Sequence, residues 1–281
     1  MSEHTVTVRC VPATPCWVSL MARDLKDARA FYGPLLGWTF EPGPDRWGPY
    51  LRAVVDGVEV AGIGVVSGDW QPPVAWTTYF GIENVDQAAA RIRERGATVA
   101  VGPLAFDAGR VALAADLFGA AFGVWEGDLG CAAWVSSPGA AVWIELRTAD
   151  PFAAALFYGE VFLWDGRDPA HFEVRYEHER VVLRSDGRSV AALRRATEVV
   201  PHWEVFFSVA DTDAAVHHAI ALGGAVVNDP SDSPYGRVAR LRDAEGGLFS
   251  VIGPDRRSDA GSRPDPGGDA DWAGTPDAEY S

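Results

Sequence analysis

The sequence of this chain repeats itself once, with a period close to half its length. The pairs that lie 126 positions apart are Trp17 with Trp143, Asp24 with Asp150, Phe31 with Phe157, Tyr32 with Tyr158, and Trp38 with Trp164. A second block keeps the same order at an offset of 127, with Trp76 and Trp203, Asp86 and Asp213, Gly96 and Gly223, Arg110 and Arg237, and Asp116 and Asp243. A match in register over most of both halves predicts a tandem duplication.

The repeat divides the 281 residues into two domains, which is also the number that the chain length favours. We predict a first domain over 10–127 and a second over 141–255. The stretch 128–140 between them is rich in Gly, Ser and Pro and is predicted to be a linker. From residue 256 onward the chain is rich in Gly, Pro, Asp and Ser, which predicts a disordered tail over 256–281.

Each half divides again into two units in which a strand is followed by a helix and then by further strands. Asp24 precedes an apolar helical stripe and is a suitable N-cap. The other three units offer a cap at the same place, namely Asn84, Asp150 and Asp211. The segments 116–119 and 243–246 begin with Asp and end with Gly, as tight turns between antiparallel strands do. The pattern predicts an α+β protein of four βαβββ units.

Charge and composition exclude several classes of partner. The formal net charge of -15 gives an acidic surface that repels phosphate backbones and anionic lipids. No apolar run approaches the roughly 20 residues of a membrane helix, and the first residues lack the pattern of a signal peptide. We therefore expect a cytoplasmic protein with neither nucleic acid nor a membrane as partner. The three cysteines indicate neither a disulfide framework nor a zinc site, and Cys16 is interpreted as a small buried hydrophobe.

Taken in order, these motifs resemble the vicinal oxygen chelate superfamily, which includes glyoxalases, bleomycin resistance proteins and extradiol dioxygenases. The resemblance rests on a strand, an Asp-Leu or Asp-Pro pair, a helix that ends in Phe-Tyr, a Leu-Gly-Trp segment, a later Gly-Arg and an Asp-x-x-Gly turn. It covers about residues 14–254 and is closest to the tandem two-domain type of actinobacteria. It implies that the βαβββ units pair into two open, curved, mixed sheets, each enclosing a cleft.

The resemblance also implies a divalent metal held by His, Gln or Glu on the first strand of each unit and by Glu on the last strand. In this sequence the corresponding positions hold Trp17, Thr77, Gly123, Trp143, Glu204 and Ser250. Of these residues, Glu204 alone is of a ligand type. A catalytic divalent ion needs about three protein ligands, and one carboxylate cannot supply them. We therefore expect no bound metal and no other cofactor.

Alternation along the strands predicts which side chains face each cleft. The first cleft is expected to contain Trp17, Ser19, Thr77, Tyr79 and Trp125, none of which is a strong acid or base. The second is expected to contain Trp143, Glu145, His202, Glu204 and Phe206, with Ser250 on the last strand. We predict Glu145, Glu204 and His202 as catalytic residues. The predicted substrate-binding residues are Trp143, Phe206, Ser250, Trp17, Thr77 and Tyr79.

Two interpretations of the second cleft stay open. In the first, Glu145, Glu204 and His202 form an acid and base set, because burial and mutual repulsion would let one carboxyl hold a proton near neutral pH. In the second, the imidazole lies in solvent and the two carboxylates form structural ion pairs with arginines such as Arg147, Arg194 or Arg237.

Three functions are compatible with these residues. The first is a metal-independent tailoring enzyme of secondary metabolism, of lyase, isomerase or hydroxylase-like type, that acts on a hydrophobic, aromatic small molecule. The second is a non-catalytic protein that binds an antibiotic and confers resistance, for which an aromatic cleft suffices. The third is a glyoxalase-like or oxygenase-like enzyme with an unconventional metal site. The sequence leaves both a monomer and a homodimer open.

Overall fold

A computed structural model describes residues 12–44, 48–65, 73–106, 109–127, 137–164, 172–177, 180–197 and 200–255. The predicted tail over 256–281 lies outside these ranges, as does most of the predicted linker. Within them the chain forms sixteen strands and four helices, and none of these helices is long and apolar enough to cross a membrane.

The first half of the chain forms one eight-stranded sheet. Its elements are β1 (Pro15–Ala22), α1 (Leu25–Leu36), β2 (Thr39–Pro42), β3 (Tyr50–Val55), β4 (Val58–Val65), β5 (Ala75–Gly81), α2 (Val85–Glu94), β6 (Thr98–Phe106), β7 (Gly109–Ala115) and β8 (Ala121–Gly127). The strand order is β2-β3-β4-β1-β5-β8-β7-β6. The central β1 and β5 are antiparallel and join the two units, whereas β1 with β4 and β5 with β8 are parallel. The sheet is therefore mixed, with one βαβββ unit on each side of its centre.

The second half repeats this plan. Its elements are β9 (Ala141–Thr148), α3 (Pro151–Phe162), β10 (Phe172–Glu177), β11 (Arg180–Ser185), β12 (Arg188–Arg195), β13 (His202–Ser208), α4 (Thr212–Ala221), β14 (Ala225–Ser233), β15 (Gly236–Arg242) and β16 (Leu248–Gly253). The strand order is β10-β11-β12-β9-β13-β16-β15-β14. The predicted α+β class, with four βαβββ units in two open mixed sheets, is confirmed.

The predicted helix starts and tight turns are confirmed as well. The Asp24 carboxylate accepts hydrogen bonds from two backbone N–H groups of the first turn of α1. The side chains of the other predicted caps each accept one or two such hydrogen bonds: Asn84, Asp150 and Asp211. In the turns before β8 and β16, the N–H of Gly119 donates to Asp116 and that of Gly246 donates to Asp243. Both glycines have φ near +100°, a conformation that disfavours other residues.

One hydrophobic core runs through both domains, because the helix-bearing faces of the two sheets pack against each other. Helix α1 contacts α4, and α2 contacts α3. Aromatic rings fill the interface, as where Phe80 lies 5.1 Å from the Trp203 ring. Trp38 and Trp164, which are paired by the repeat, are both buried in this core. The opposite face of each sheet lies outside this shared core, and its side chains are those of the predicted first and second clefts.

Residues that recur in the sequence meet across this interface. The indole of Trp76 donates to the Tyr32 hydroxyl over 3.1 Å, and that hydroxyl donates over 2.7 Å to the Asp243 carboxylate of the other domain. The second copy is formed by Trp203, Tyr158 and Asp116. Burial raises the pKa of both tyrosines, so their hydroxyls stay protonated and can donate. The repeated Trp, Tyr and Asp therefore hold the two domains together.

The Gly-Arg motif has a structural role in both halves. Arg110 donates two hydrogen bonds to Asp86 in the first turn of α2, over 2.6 and 3.0 Å. Arg237 contacts Asp213 in α4 in the same way. Each arginine joins a strand of the sheet to the helix that packs on it, so Arg237 is not a partner of the predicted catalytic carboxylates.

Candidate functional site

The first cleft contains its predicted aromatic residues in a cluster separate from the shared core. Trp17 and Trp125 pack there with Cys16 and against Tyr79. The register of β1 and β5 places Trp17 opposite Tyr79. Cys16 is buried as interpreted, and burial raises the pKa of its thiol, which keeps it protonated.

Tyr50 fills one side of the first cleft. Its ring lies over Gly62 and Gly64 on β4, so close that a Cβ added at Gly62 would overlap the Tyr50 hydroxyl. The Trp17 indole donates to that hydroxyl over 3.1 Å. Tyr50 thus occupies space next to the strand where the family places a metal ligand of the first unit.

Tyr79 fills the other side. Its ring lies against Gly123 on β8, where a Cβ would overlap the ring, and the Ser19 hydroxyl donates to the Tyr79 hydroxyl over 3.1 Å. Thr77, directly opposite Ser19, is partly exposed on the same face. Burial raises the pKa of Tyr79, so this phenol stays neutral. The hydrogen-bonding groups at these positions are hydroxyls without charge.

The second cleft has a different character, because strand register brings charged residues together. Glu145 on β9 lies directly opposite Glu204 on β13. Two residues away from this acidic pair, four basic residues lie directly opposite one another on the neighbouring strands β11, β12, β9 and β13. They are Arg180, Arg194, Arg147 and His202. We call these four residues the basic row. An acidic pair therefore lies next to a row that contains three arginines.

Of the two carboxylates, Glu204 makes more contacts with neighbouring side chains. Its side chain is buried, with 1% exposed. Arg147 Nε donates to Oε2 over 3.1 Å, Arg240 Nε lies 3.2 Å from Oε1, and the Ser250 hydroxyl also donates to Oε1. Charge-assisted contacts of this kind fix the orientation of the carboxylate.

Glu145 has fewer contacts. Its Oε1 lies 3.0 Å from Arg147 Nε, but the hydrogen of that nitrogen points to Glu204. Oε1 is buried and makes no hydrogen bond to any residue within the described ranges. Because Arg147 lies between the two carboxylates, its charge offsets the repulsion expected between them. Glu145 is thus the carboxylate with unused acceptor capacity.

His202 is hydrogen-bonded through both ring nitrogens. Nδ1 lies 2.7 Å from the Val200 carbonyl oxygen, and Nε2 lies 2.8 Å from Arg240 Nη2. A carbonyl only accepts and a guanidinium only donates, so Nδ1 carries the proton and Nε2 accepts. Burial lowers the pKa of His202, which favours this neutral form, although Glu204, with Oε2 3.9 Å from Nε2, opposes the shift.

The structure thus combines parts of both sequence interpretations. Arg147 pairs with both carboxylates, as the second interpretation expects, whereas His202 is partly buried and does not lie in solvent. Arg240 contacts Glu204 and His202 but was not predicted as a site residue. It lies opposite Ser250 in the register of β15 and β16, so the alternation that placed Ser250 in the cleft could have indicated it.

The aromatic part of the second cleft is formed by Trp143 and Phe206, which lie opposite each other on β9 and β13. Phe206 is buried, whereas Trp143 is partly exposed. A partly exposed indole on a cleft face offers a flat apolar surface on which a planar ligand can stack.

The family's divalent metal does not fit the residues at its usual positions. Across the described ranges, no group of three or more His, Cys, Asp or Glu is arranged to hold a metal ion. Both Glu204 oxygens are engaged by arginines, and His202 Nε2 faces the Arg240 guanidinium. Two guanidiniums around the single carboxylate at these positions would repel a cation.

Comparison with known sequences finds relatives whose alignments cover most of the chain. Residues 143–252 match the glyoxalase-like domain. The chain is 34% identical over 251 residues to a putative glyoxylase, CFP32, of Mycobacterium tuberculosis, with 86% of this chain and 95% of that protein covered. It is also 34% identical over 267 residues to the anthracycline biosynthesis protein DauV of Streptomyces sp. strain C5, with 87% and 94% covered.

Solved structures share the fold at much lower identity. The 2,3-dioxygenase LapB from Pseudomonas sp. KL28 superposes with a TM-score of 0.59 at 12% identity, covering 92% of this chain and 96% of that one. The Mn(II)-bound glyoxalase from Novosphingobium aromaticivorans gives 0.57 at 16% identity, with 87% and 84% covered. From its fold and its relatives together, the chain belongs to the vicinal oxygen chelate superfamily, as a member with two tandem domains.

Proposed function

We propose that this protein is a metal-independent tailoring enzyme that transfers protons on a planar aromatic small molecule in the second cleft. The observation that carries the proposal is the buried Glu145 Oε1, which lacks a hydrogen bond within the described ranges and lies beside the Arg147 guanidinium. The partly exposed indole of Trp143 lies two residues away on the same strand face. Relatives that are named for anthracycline biosynthesis support a fused-ring aromatic substrate.

The contacts divide the roles of the two carboxylates. Glu145 accepts a proton from a C–H or O–H group of the substrate, since its acceptor capacity is unused. Glu204 has three partners and therefore positions Arg147 and Arg240. When Glu145 takes up the proton, it loses its charge, and Arg147 can stabilise the enolate or phenolate that forms. Reactions of this kind are isomerisations and eliminations next to a carbonyl, which belong to the isomerase and lyase types.

His202 has a supporting role in this proposal. Its neutral ring accepts from Arg240 through Nε2 and donates from Nδ1 to the Val200 carbonyl. It thereby holds the Arg240 guanidinium toward Glu204. Among the other predicted site residues, Ser250 fixes Glu204, and Trp143 and Phe206 provide the apolar wall.

The test measures exchange of the acidic C10 hydrogens of anthrone with solvent deuterium by NMR. The wild-type protein is expected to accelerate the exchange without added metal and in the presence of a chelator. Glu145→Gln should lower the rate by about a hundredfold, the usual size of a general-base contribution. Ser19→Ala removes the polar group at the matching position of the first cleft and should leave the rate unchanged.

Full exchange activity in a folded Glu145→Gln variant would contradict the assignment of the base. Loss of the wild-type rate on chelation, together with a stoichiometric metal in the purified protein, would contradict metal independence and favour the unconventional metal enzyme. Circular dichroism of each variant separates a loss of chemistry from a loss of fold.

A second candidate function is non-catalytic binding of an aromatic antibiotic. It is favoured by the ion pairs of Glu204, which hold that carboxylate in a fixed position and would suit a rigid binding surface. Tight binding of anthrone by a wild-type protein that does not accelerate exchange would support this candidate over the enzyme.

A further inference from the structure

We infer that two copies of this chain associate through an apolar stripe on helix α3, related by a two-fold axis that sets one stripe against the other. The α3 stripe consists of Phe152, Leu156 and Leu163, and Tyr176 on the end strand β10 extends it. A homodimer is one of the two states that the sequence leaves open. Because α3 packs on the face of the second sheet opposite the second cleft, this association is independent of the proposed function.

The stripe follows from the spacing of the outward residues of α3. Phe152, Leu156 and Leu163 are four and seven residues apart, which places them on one side of the helix. Leu156, at the centre, is 65% exposed, and the Phe152 ring stacks on the Tyr176 ring with 6.0 Å between their centroids. The stripe is about 16 Å long, given the rise of an α-helix. Single exposed apolar residues need no explanation, but a row of them marks an interaction surface.

The first domain folds the same helix without such a stripe. The residues of α1 at the corresponding positions are Lys26, Ala30 and Gly37. The fold therefore does not require large apolar side chains at these positions. Since α1 and α3 occupy equivalent places in their domains, the stripe is best explained by a contact that α3 makes and α1 does not.

Leu163 adds an observation from the backbone. It ends α3 in the left-handed region with φ of 57°, where α1 ends on Gly37 with φ of 72°. This conformation is unfavourable for a residue that has a Cβ atom. The Leu163 side chain is 50% exposed, so packing within the chain does little to offset the cost. Burial of this side chain against a second copy would offset it.

Charge determines which kind of partner fits the stripe. Glu160 is the one charged residue within Pro151–Phe162, and its carboxylate lies 2.6 Å from Arg95 Nε at the end of α2. The stripe is therefore locally neutral, although the chain has a formal net charge of -15. A basic partner would bind to the acidic surface in preference to a neutral one. Two copies of an acidic chain repel each other where carboxylates meet, so a neutral apolar surface is where they can associate.

The shape of the surface also suits a second copy. Ala153 and Gly159 lie three residues before and after Leu156, and both are partly exposed. They form a groove of small residues beside the ridge of Phe152 and Leu156. Two helices with such ridges in each other's grooves cross at about -50°, and a two-fold axis generates this packing from one surface. In α1 the position of Ala153 is occupied by Asp27, whose exposed carboxylate would face its own copy.

The experiment measures the mass of the full chain by sedimentation equilibrium over about 1–100 µM, a range that covers moderate dimer affinities. The wild-type protein is expected to approach twice the monomer mass as its concentration rises. Leu156→Asp should raise the dissociation constant of the dimer by about a hundredfold, because the axis places the new carboxylate in the interface twice. Ile220→Asp is the matched control on α4, since Ile220 is 51% exposed and its helix packs on α1; its mass should equal that of the wild type.

A second measurement uses Leu156→Cys and Ile220→Cys, with thiol labelling followed by peptide mass spectrometry. The rate of labelling at Leu156→Cys should fall as the protein concentration rises, whereas the rate at Ile220→Cys should stay constant. Labelling of Leu156→Cys that is slow at every concentration would show that a segment of the same chain covers the stripe. Labelling that is fast at every concentration would show that no second copy covers it. Either result would overturn the inference.

Two outcomes of the sedimentation experiment would also overturn it. One is a wild-type protein that stays monomeric over the whole range. The other is a folded Leu156→Asp variant that dimerises as the wild type does, since another surface would then hold the two copies together. Circular dichroism establishes that the variant is folded, and the labelling experiment keeps the test decisive if it is not.

Discussion

The two clefts of this protein are built on the same eight-stranded sheet and carry different side chains at corresponding positions. In the first, Tyr50 and Tyr79 lie over glycines and join hydroxyl and indole groups in uncharged hydrogen bonds. At the corresponding positions of the strand register, the second cleft carries charged or larger residues. They are Arg180 in place of Tyr50, Arg194 in place of Gly64, Arg147 in place of Met21, Glu145 in place of Ser19, Glu204 in place of Thr77, and Ser250 in place of Gly123.

The difference shows which parts of the repeat serve the fold and which do not. The Trp, Tyr and Asp residues at the domain interface are identical in both halves, because each copy makes the same buried hydrogen bonds to the other domain. The cleft faces are free of this requirement and have diverged. One cleft is filled by its own tyrosines, and the other collects groups that can bind charge and move protons. We therefore expect one working site per chain.

The largest effect on stability is expected from Glu204→Ala. The substitution leaves Arg147 and Arg240 without their shared buried carboxylate, and breaking a buried ion pair in this way costs about 3–5 kcal/mol. Thr77→Ala, at the matching position of the first cleft, should change the free energy of unfolding by less than about 1 kcal/mol. Urea denaturation of both variants measures the difference. Equal losses in the two variants would mean that the ion pairs do not distinguish the clefts.

An intermediate effect is expected when Gly62 in the first cleft becomes Ala, the residue that β12 carries at Ala192. The added methyl group overlaps the Tyr50 hydroxyl, so the ring must move, at a cost of about 1–3 kcal/mol. In a Tyr50→Ala background the same change should cost much less, which a double-mutant cycle detects. If the two substitutions were additive, Tyr50 would not be what fills this cleft. Ala192→Gly serves as the reciprocal control.

The smallest effect concerns pH. Burial lowers the pKa of His202, and the charges of Arg240 and Arg147 lower it further. Below about pH 6.5 the unfolded chain takes up a proton on this ring, whereas the folded protein resists protonation. Protonation of the unfolded chain therefore decreases stability as the pH falls below that value. Denaturation midpoints from pH 7.5 to 5 should fall less steeply in His202→Gln than in the wild type. Parallel curves for the two proteins would show that His202 contributes no pH dependence.

Much of the fold could be predicted because its signals are local. A short acidic or amide side chain in front of an apolar stripe caps a helix wherever it occurs, which is why Asp24 and Asn84 were placed correctly. An Asp followed by Gly three residues later makes a tight turn for equally local reasons. Alternation along a strand likewise placed Glu145 and Glu204 on one face.

The partners of those carboxylates could not be predicted in the same way. Of the arginines suggested as partners, Arg147 does pair with both carboxylates, whereas Arg237 is wrong, since it contacts Asp213 in helix α4. Arg240 and Arg180 reach the cleft through the register of strands that are distant in sequence. Register of this kind depends on loop lengths and on the curvature of the whole sheet.

The sequence by itself determined that this protein is a duplicated chain of four βαβββ units, because repeats, caps and turns act over a few residues. It also determined that the usual metal ligands are replaced in both halves. Only the tertiary structure decided that Tyr50 and Tyr79 fill one cleft, and that Arg147 lies between two carboxylates in the other. The physical reason is that close packing and ion pairs depend on distances between strands far apart along the chain, which the curved sheets set.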